Sequence, residues 1–240
     1  MNLNLKGELL CDEWAEIYRM YGFDSGFYCP ADIRSAIDAL EPGEELVLQI
    51  NSVGGDVFAG NEIYAMLQPI ADRARAEIQS LAASAASYFI LACGRVEIAL
   101  PAQMMIHCAG WAVGGNKTDH RWAADQLEVT DEAILDVYCR RCGDKASREQ
   151  LRDLMERESY LSARQCLELG LVDAIIGEET GGEPLALVAS VSHNLMRCMR
   201  TLPDIRELME RRERDCRELH WKVQAALEME MERYHRAQPE

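Results

Sequence analysis

The chain has 240 residues, enough for one large domain or for one domain with an appendage. Hydrophobic residues make up 48% and charged residues 28%, which excludes a wholly disordered or a collagen-like chain. Asp and Glu outnumber Lys and Arg by 41 to 25, a formal charge of -16, and this acidic field argues against nucleic acid as the main partner.

Residues 3–10 read as a short strand, and no basic segment followed by an apolar core precedes them, so a cytoplasmic chain is expected. Residues 21–26 are loop-like. Pro30 opens a helix to Leu40 with Ile33, Ile37 and Leu40 on one face, and Glu41-Pro-Gly43 ends it. Residues 45–50 read as a buried strand running into Asn51-Ser-Val-Gly-Gly-Asp56. Residues 57–67 return to helical spacing with Ile63, Tyr64 and Leu67 inward, and Pro69 closes them. A strand over 74–80 and a small-residue helix over 83–93 follow, then short strands over 95–100 and 103–107. The mostly apolar run 81–93 is too short for the roughly 18–20 residues of a membrane span, so no membrane role is expected.

A Gly-rich loop over 110–115 precedes a long helical pattern over 118–141, stopped by Gly143. Cys139 and Cys142 lie near its end with C-x-x-C spacing. No second pair follows, so they read as thiols rather than a metal centre. The nine cysteines are odd in number and scattered, which suits reduced thiols. Ser147-Arg-Glu-Gln150 and Ser162-Ala-Arg-Gln165 fit capping boxes and each predicts a helix start. Gly170 suits the end of the second helix, and 171–176 reads as a final strand.

This alternation predicts an α/β protein with mostly parallel pairing. Glu178 to Pro184 has linker composition, which divides the chain into a domain over 1–177, a linker over 178–184 and a helical C-terminal extension over 185–240. Charge of both signs over 204–236 marks a solvated or partner-binding helix.

Three places offer chemistry. Gly54-Gly55 after a strand suits either a tight turn or a close backbone approach with N–H groups aimed outward. Ser84, between alanines at a strand-to-helix junction, suits close helix packing or a nucleophile in a first turn whose free N–H groups stabilise an oxyanion. His107 leaves a strand before the Gly-rich loop, as a structural histidine or a general base.

In this order, Asn51-Ser-Val-Gly-Gly-Asp56, Leu81-Ala-Ala-Ser84-Ala-Ala-Ser87, Met105-Ile-His107, Tyr160-Leu-Ser-Ala163 and Gly170-Leu-Val-Asp173 resemble the successive motifs of Clp-type serine peptidases. The resemblance runs over residues 3–177. It implies a Clp/crotonase-type spiral of βαβ units with a long protruding helix, and a Ser-His-acid triad of Ser84, His107 and Glu158. The family's usual acid is Asp, so Glu158 is a departure, with Asp153 and Asp173 as substitutes; a glutamate can orient an imidazole equally. The resemblance places the oxyanion hole at the N–H groups of Gly55 and Ala85, and an extended substrate beside Gly54 and Gly55, with no metal or organic cofactor.

Gly54-Gly-Asp-Val-Phe-Ala-Gly60, the doubled Ala-Ser and Glu158 are most similar to the Clp-like head maturation proteases of tailed phages and prophages. That similarity implies scaffold and capsid proteins as substrates in a host cytoplasm or procapsid, and a homo-oligomeric ring. The alternatives are a bacterial Clp peptidase subunit that degrades polypeptides fed by an ATP-driven unfoldase, a crotonase-fold acyl-CoA enzyme, and a non-catalytic scaffold fusion.

Overall fold

The computed structural model describes residues 1–178. The expected linker beyond Glu178 and the helical extension at 185–240 lie outside the described residues. Strand β1 (Asn2–Leu9) leads into α1 (Asp12–Met20), the two-residue β2 (Phe27–Tyr28) and α2 (Pro30–Asp38). Then come β3 (Leu46–Gly55), α3 (Val57–Leu67), β4 (Ala74–Ala83), the short α4 (Ala85–Phe89), β5 (Arg95–Ala99) and β6 (Gln103–Ile106). The long α5 (Lys117–Cys142) and α6 (Arg148–Glu156) precede β7 (Ser159–Ser162), α7 (Ala163–Leu169) and β8 (Ala174–Ile176).

The sheet order is β2-β1-β3-β4-β5-β8, and β6 pairs with β4 and with β7. All pairings are parallel except β6 with β7. The mostly parallel α/β architecture and the long helix are those expected. Central strands of such a sheet are covered on both faces, and Leu46, Leu48 and Ile50 of β3 and Ala76 and Ile78 of β4 are accordingly inaccessible to solvent. Apolar residues of α2, α3, α4 and the second half of α5 pack on them, with Ile33, Ile63, Phe89 and Leu135 among the core.

Two strands run further than their hydrophobic runs. β3 continues through Asn51 and Ser52 to Gly55, and β4 through Gln79 and Ser80 to Ala83, because ladder hydrogen bonds belong to the backbone and tolerate polar side chains. This length lets β4 change partners: residues 75–78 pair with β5, and residues 81–83 pair with β6. The second half of β4 therefore turns away with β6 and β7 and carries the following residue, Ser84, to a new edge.

The expected helix over 83–93 begins at Ala85 and tightens into a 3-10 turn over Ile90–Ala92. Both capping boxes start helices, with Ser147 Oγ accepting from the Gln150 N–H and Ser162 Oγ from the Gln165 N–H. Gly170, with φ 79°, ends α7 in the left-handed conformation. On α5 the buried residues fall mostly in the second half, at Ile134, Leu135, Tyr138 and Cys142, while the first half is largely exposed. No helix among the described residues is long and apolar enough to cross a membrane.

Candidate active site

The ends of β4, β6 and β7 bring together groups far apart in sequence. Ala83 pairs with Met105, and the Ser84 N–H donates to the Met105 carbonyl at 2.9 Å, so Ser84 lies beside the end of β6. His107 is the first residue past β6. Its Nε2 stands 2.7 Å from Ser84 Oγ. On the other side β7 pairs antiparallel with β6, ending at Ile106 opposite Ser159. The next position in that register sets Glu158 against His107, with Oε1 3.9 Å from Nδ1.

That separation is longer than a hydrogen bond. The Glu158 side chain is 75% exposed and the His107 side chain 25% exposed. A carboxylate on the Nδ1 side favours the tautomer protonated there, which leaves Nε2 free to accept the Ser84 proton. The two substitute acids are engaged elsewhere. Asp153 pairs with Arg157, one turn along the same segment, and Asp173 accepts from the Val96 N–H and pairs with Arg141. Asp173 thereby ties the start of β5 to α5, a structural task.

Ser84 is the N-cap of α4, with φ 53° and ψ -128°, a conformation costly for a residue with a Cβ. The carbonyl of Ser84 accepts from the Ser87 N–H at 2.9 Å and from Ser87 Oγ at 2.5 Å. Ala85 is the first residue of the helix, where N–H groups have no intrahelical acceptor. Against this turn lies Gly54. A Cβ on Gly54 would fall 2.5 Å from the Ala83 carbonyl oxygen, 2.7 Å from Ser84 Cβ and 2.8 Å from the Ala85 nitrogen. Gly54 has φ 83°, so both its backbone angle and its surroundings demand glycine. Gly55 packs as closely against Leu9 of β1, where an added Cβ would lie 2.0 Å from the carbonyl oxygen.

The Gly54 N–H donates to Ser52 Oγ at 3.0 Å, and Ser52 Oγ donates to the Gly7 carbonyl. Tyr28 Oη lies 2.8 Å from Ser52 Oγ. Pairing of β3 with β4 stops at Ser52, while pairing with β1 continues to Gly55. The β4-side edge of residues 53–55 is thus left without a strand partner among the described residues.

The structure therefore brings together Ser84, His107, Glu158, Gly54 and Ala85, with Gly55 following Gly54 at the end of β3 and packed against Leu9. Sequence reasoning missed Ser52, Ser87, Tyr28 and Tyr138; their signal is hydroxyl residues within otherwise apolar segments. Asp131 was also missed: its carboxylate accepts from the Ala109 N–H at 2.6 Å and holds the segment after His107 to α5. Burial, then Asp131, pushes the neighbouring Cys108 thiol up to about 11. Burial likewise pushes Cys142 of the C-x-x-C pair up to about 11. Among the described residues no group of three or more His, Cys, Asp or Glu side chains is arranged to hold a metal ion.

Residues 34–179 match the Clp protease family. The ATP-dependent Clp protease proteolytic subunit 1 of Chlamydia muridarum is 33% identical over 144 residues, covering 58% of this chain and 74% of the relative. Its counterpart in Chlamydia trachomatis serovar D is 32% identical over the same shares. The ATP-dependent Clp protease proteolytic subunit of Deinococcus radiodurans is 30% identical over 152 residues, covering 61% of this chain and 74% of the relative.

Proposed function

We propose, from the premise that the chain belongs to the Clp protease family and is a serine-type endopeptidase, that Ser84 is its nucleophile, His107 its general base and Glu158 the acid that orients the imidazole. The N–H groups of Gly55 and Ala85 form the oxyanion hole. The observation that carries this reading is the 2.7 Å approach of Ser84 Oγ to His107 Nε2 in front of the Gly54 turn.

An extended peptide would add along the open edge of residues 53–55 through main-chain hydrogen bonds. Ser84 Oγ attacks the scissile carbonyl as its proton passes to His107 Nε2, and the oxyanion forms between the two N–H groups. His107 then gives the proton to the departing amine. Water, deprotonated by the same imidazole, attacks the acyl-enzyme and frees Ser84. Every proton transfer runs through one imidazole, so no cofactor enters the scheme. A crotonase-type acyl-CoA reaction would have no use for a hydroxyl held against this imidazole.

The relatives named above are proteolytic subunits of ATP-dependent proteases. By analogy we read the chain as a cytoplasmic ring-forming peptidase that takes polypeptides delivered by an ATP-driven unfoldase. A second reading, the head maturation protease acting on scaffold and capsid proteins, is favoured by the wording of residues 54–60 and by Glu158 in place of Asp. The test incubates the full chain and Ser84→Ala with a folded substrate plus unfoldase and ATP, and separately with procapsid scaffold protein, and maps fragments by mass. Cleavage only in the first arm supports the unfoldase reading, and cleavage of scaffold without ATP supports the second. A fluorophosphonate label mapping anywhere but Ser84 would overturn the nucleophile.

A further inference from the structure

Ser52 and Ser87 are the buried serines among the described residues, and each meets a buried tyrosine. Tyr138 Oη of α5 lies 2.6 Å from Ser87 Oγ. A serine hydroxyl has one proton, and that of Ser87 is engaged by the Ser84 carbonyl at 2.5 Å. The remaining proton between the two oxygens is therefore the phenol's. Burial pushes the Tyr138 phenol far up, which keeps it protonated and donating. A directed relay results: Tyr138 donates to Ser87, and Ser87 donates to the Ser84 carbonyl.

The Ser84 carbonyl and the Ala85 N–H belong to one planar trans peptide and point in opposite directions. Ser84 caps α4, so a carbonyl held toward Ser87 aims the Ala85 N–H away from the helix body, toward the Gly54 turn. This peptide is also the one that follows the strained φ of 53° at Ser84, where rotation out of place would relieve strain. Two donors from one residue, backbone and side chain of Ser87, hold it.

We propose that Ser87 and Tyr138 are positioning residues that aim the oxyanion-binding N–H of Ala85 by fixing the Ser84 carbonyl. The proposal rests on the reading that Ala85 holds the oxyanion. Neither side chain touches substrate.

The test uses the full chain carrying Tyr138→Phe, Ser87→Ala or Ser87→Thr, beside Ser84→Ala. Readouts are kcat and KM on a fluorogenic peptide per serine labelled to completion, the inhibition constant of a peptide boronate that forms a tetrahedral adduct, and the unfolding midpoint. Loss of a whole oxyanion donor costs about 100- to 1,000-fold in kcat, so a misaimed one predicts falls of about 10- to 100-fold. Boronate affinity should weaken by the same factor, with KM nearly unchanged and Ser87→Thr restoring part of both. If any one variant fails to fold, the others read the same two quantities. A lower midpoint with kcat and boronate affinity at wild-type values in Tyr138→Phe and Ser87→Ala would overturn the proposal while an inactive Ser84→Ala upheld the underlying reading. Full hydrolysis by Ser84→Ala would remove that reading, and this proposal with it.

Discussion

His107 and Glu158 occupy the rung just beyond the β6–β7 ladder, opposite each other across the antiparallel pair that ends at Ile106 and Ser159. The proposed triad acid thus owes its place to strand register, not to a loop that has to find the imidazole. Glu158 also has φ 49°, just past the Arg157 that caps α6, and its N–H donates to the Met155 carbonyl. Together with Ser84 it is one of the two described residues other than glycine with positive φ.

The exposure of Glu158 and its 3.9 Å separation from Nδ1 limit what the carboxylate contributes, because water and salt screen an exposed charge. Glu158→Gln should therefore lower kcat/KM by about 10- to 100-fold, well short of the roughly 10,000-fold that a buried triad aspartate supplies. Steady-state kinetics at low and high salt check this. Asp153→Asn and Asp173→Asn should leave kcat near wild type, since both carboxylates are held by arginines on other tasks.

Ser84→Ala should reduce peptide hydrolysis by about 10,000-fold or more, as expected when a triad nucleophile is removed. Ser84→Gly should be equally inactive yet unfold at a higher temperature than Ser84→Ala, because glycine adopts φ 53° without the cost that any Cβ carries there. Scanning calorimetry of the two variants side by side measures the strain held at position 84.

Gly54→Ala should abolish activity and destabilise the protein together. The new methyl meets the Ala83 oxygen, Ser84 Cβ and the Ala85 nitrogen, all parts of backbone or a short side chain that cannot swing aside. Gly43→Ala, also at positive φ but with open space around it, should lose about 1 kcal/mol of stability and keep wild-type kcat. Wild-type turnover in Gly54→Ala would show that the turn does not line the site.

Arg75 joins three carboxylates on one face of the sheet, at Glu45, Glu77 and Glu97. Burial alone would raise the Glu97 carboxyl, but hydrogen bonds and charge from Arg95 and Arg75 outweigh it and hold it below its ordinary value. A carboxyl lowered by folding stabilises the fold above the ordinary carboxylate range and loses that contribution as pH falls through its folded value. Glu97→Gln should therefore cost about 1–2 kcal/mol near neutral pH, with the gap to wild type closing in acid. Unfolding followed from pH 7 downward checks the sign; a gap that widens in acid would reverse it.

Much of the site was legible because its groups sit where strands end. Ser84 follows β4 and precedes a helix, His107 follows β6, and Gly54-Gly55 close β3, so each is a candidate on its own, while the order of the motifs and their resemblance to Clp-type peptidases join them and add Glu158. Helix α1 is hard to see in the sequence although Trp14, Ala15, Ile17 and Tyr18 recur at helical spacing, because it has only nine residues and four of them are charged. Strand β7 was not read either, since its residues alternate only loosely and its existence depends on pairing with β6. The roles of Ser87 and Tyr138 were beyond any local pattern. Those residues are 51 positions apart, and small residues around Ser87 suggest packing rather than a directed hydroxyl.

Helix α5 has 26 residues, a rod about 39 Å long at 1.5 Å per residue. Its inner end is bedded in the core at Ile134, Leu135 and Tyr138, and its outer span stands in solvent with Trp122 and Val129 uncovered. The Tyr138 phenol sits at the bedded end, two hydrogen bonds from the Ser84 peptide, while the outer span meets the segment after His107 through Asp131 and through Trp122 against Trp111. One helix therefore spans from the hydroxyl that reaches the Ser84 peptide to the carboxylate that holds the backbone just past His107.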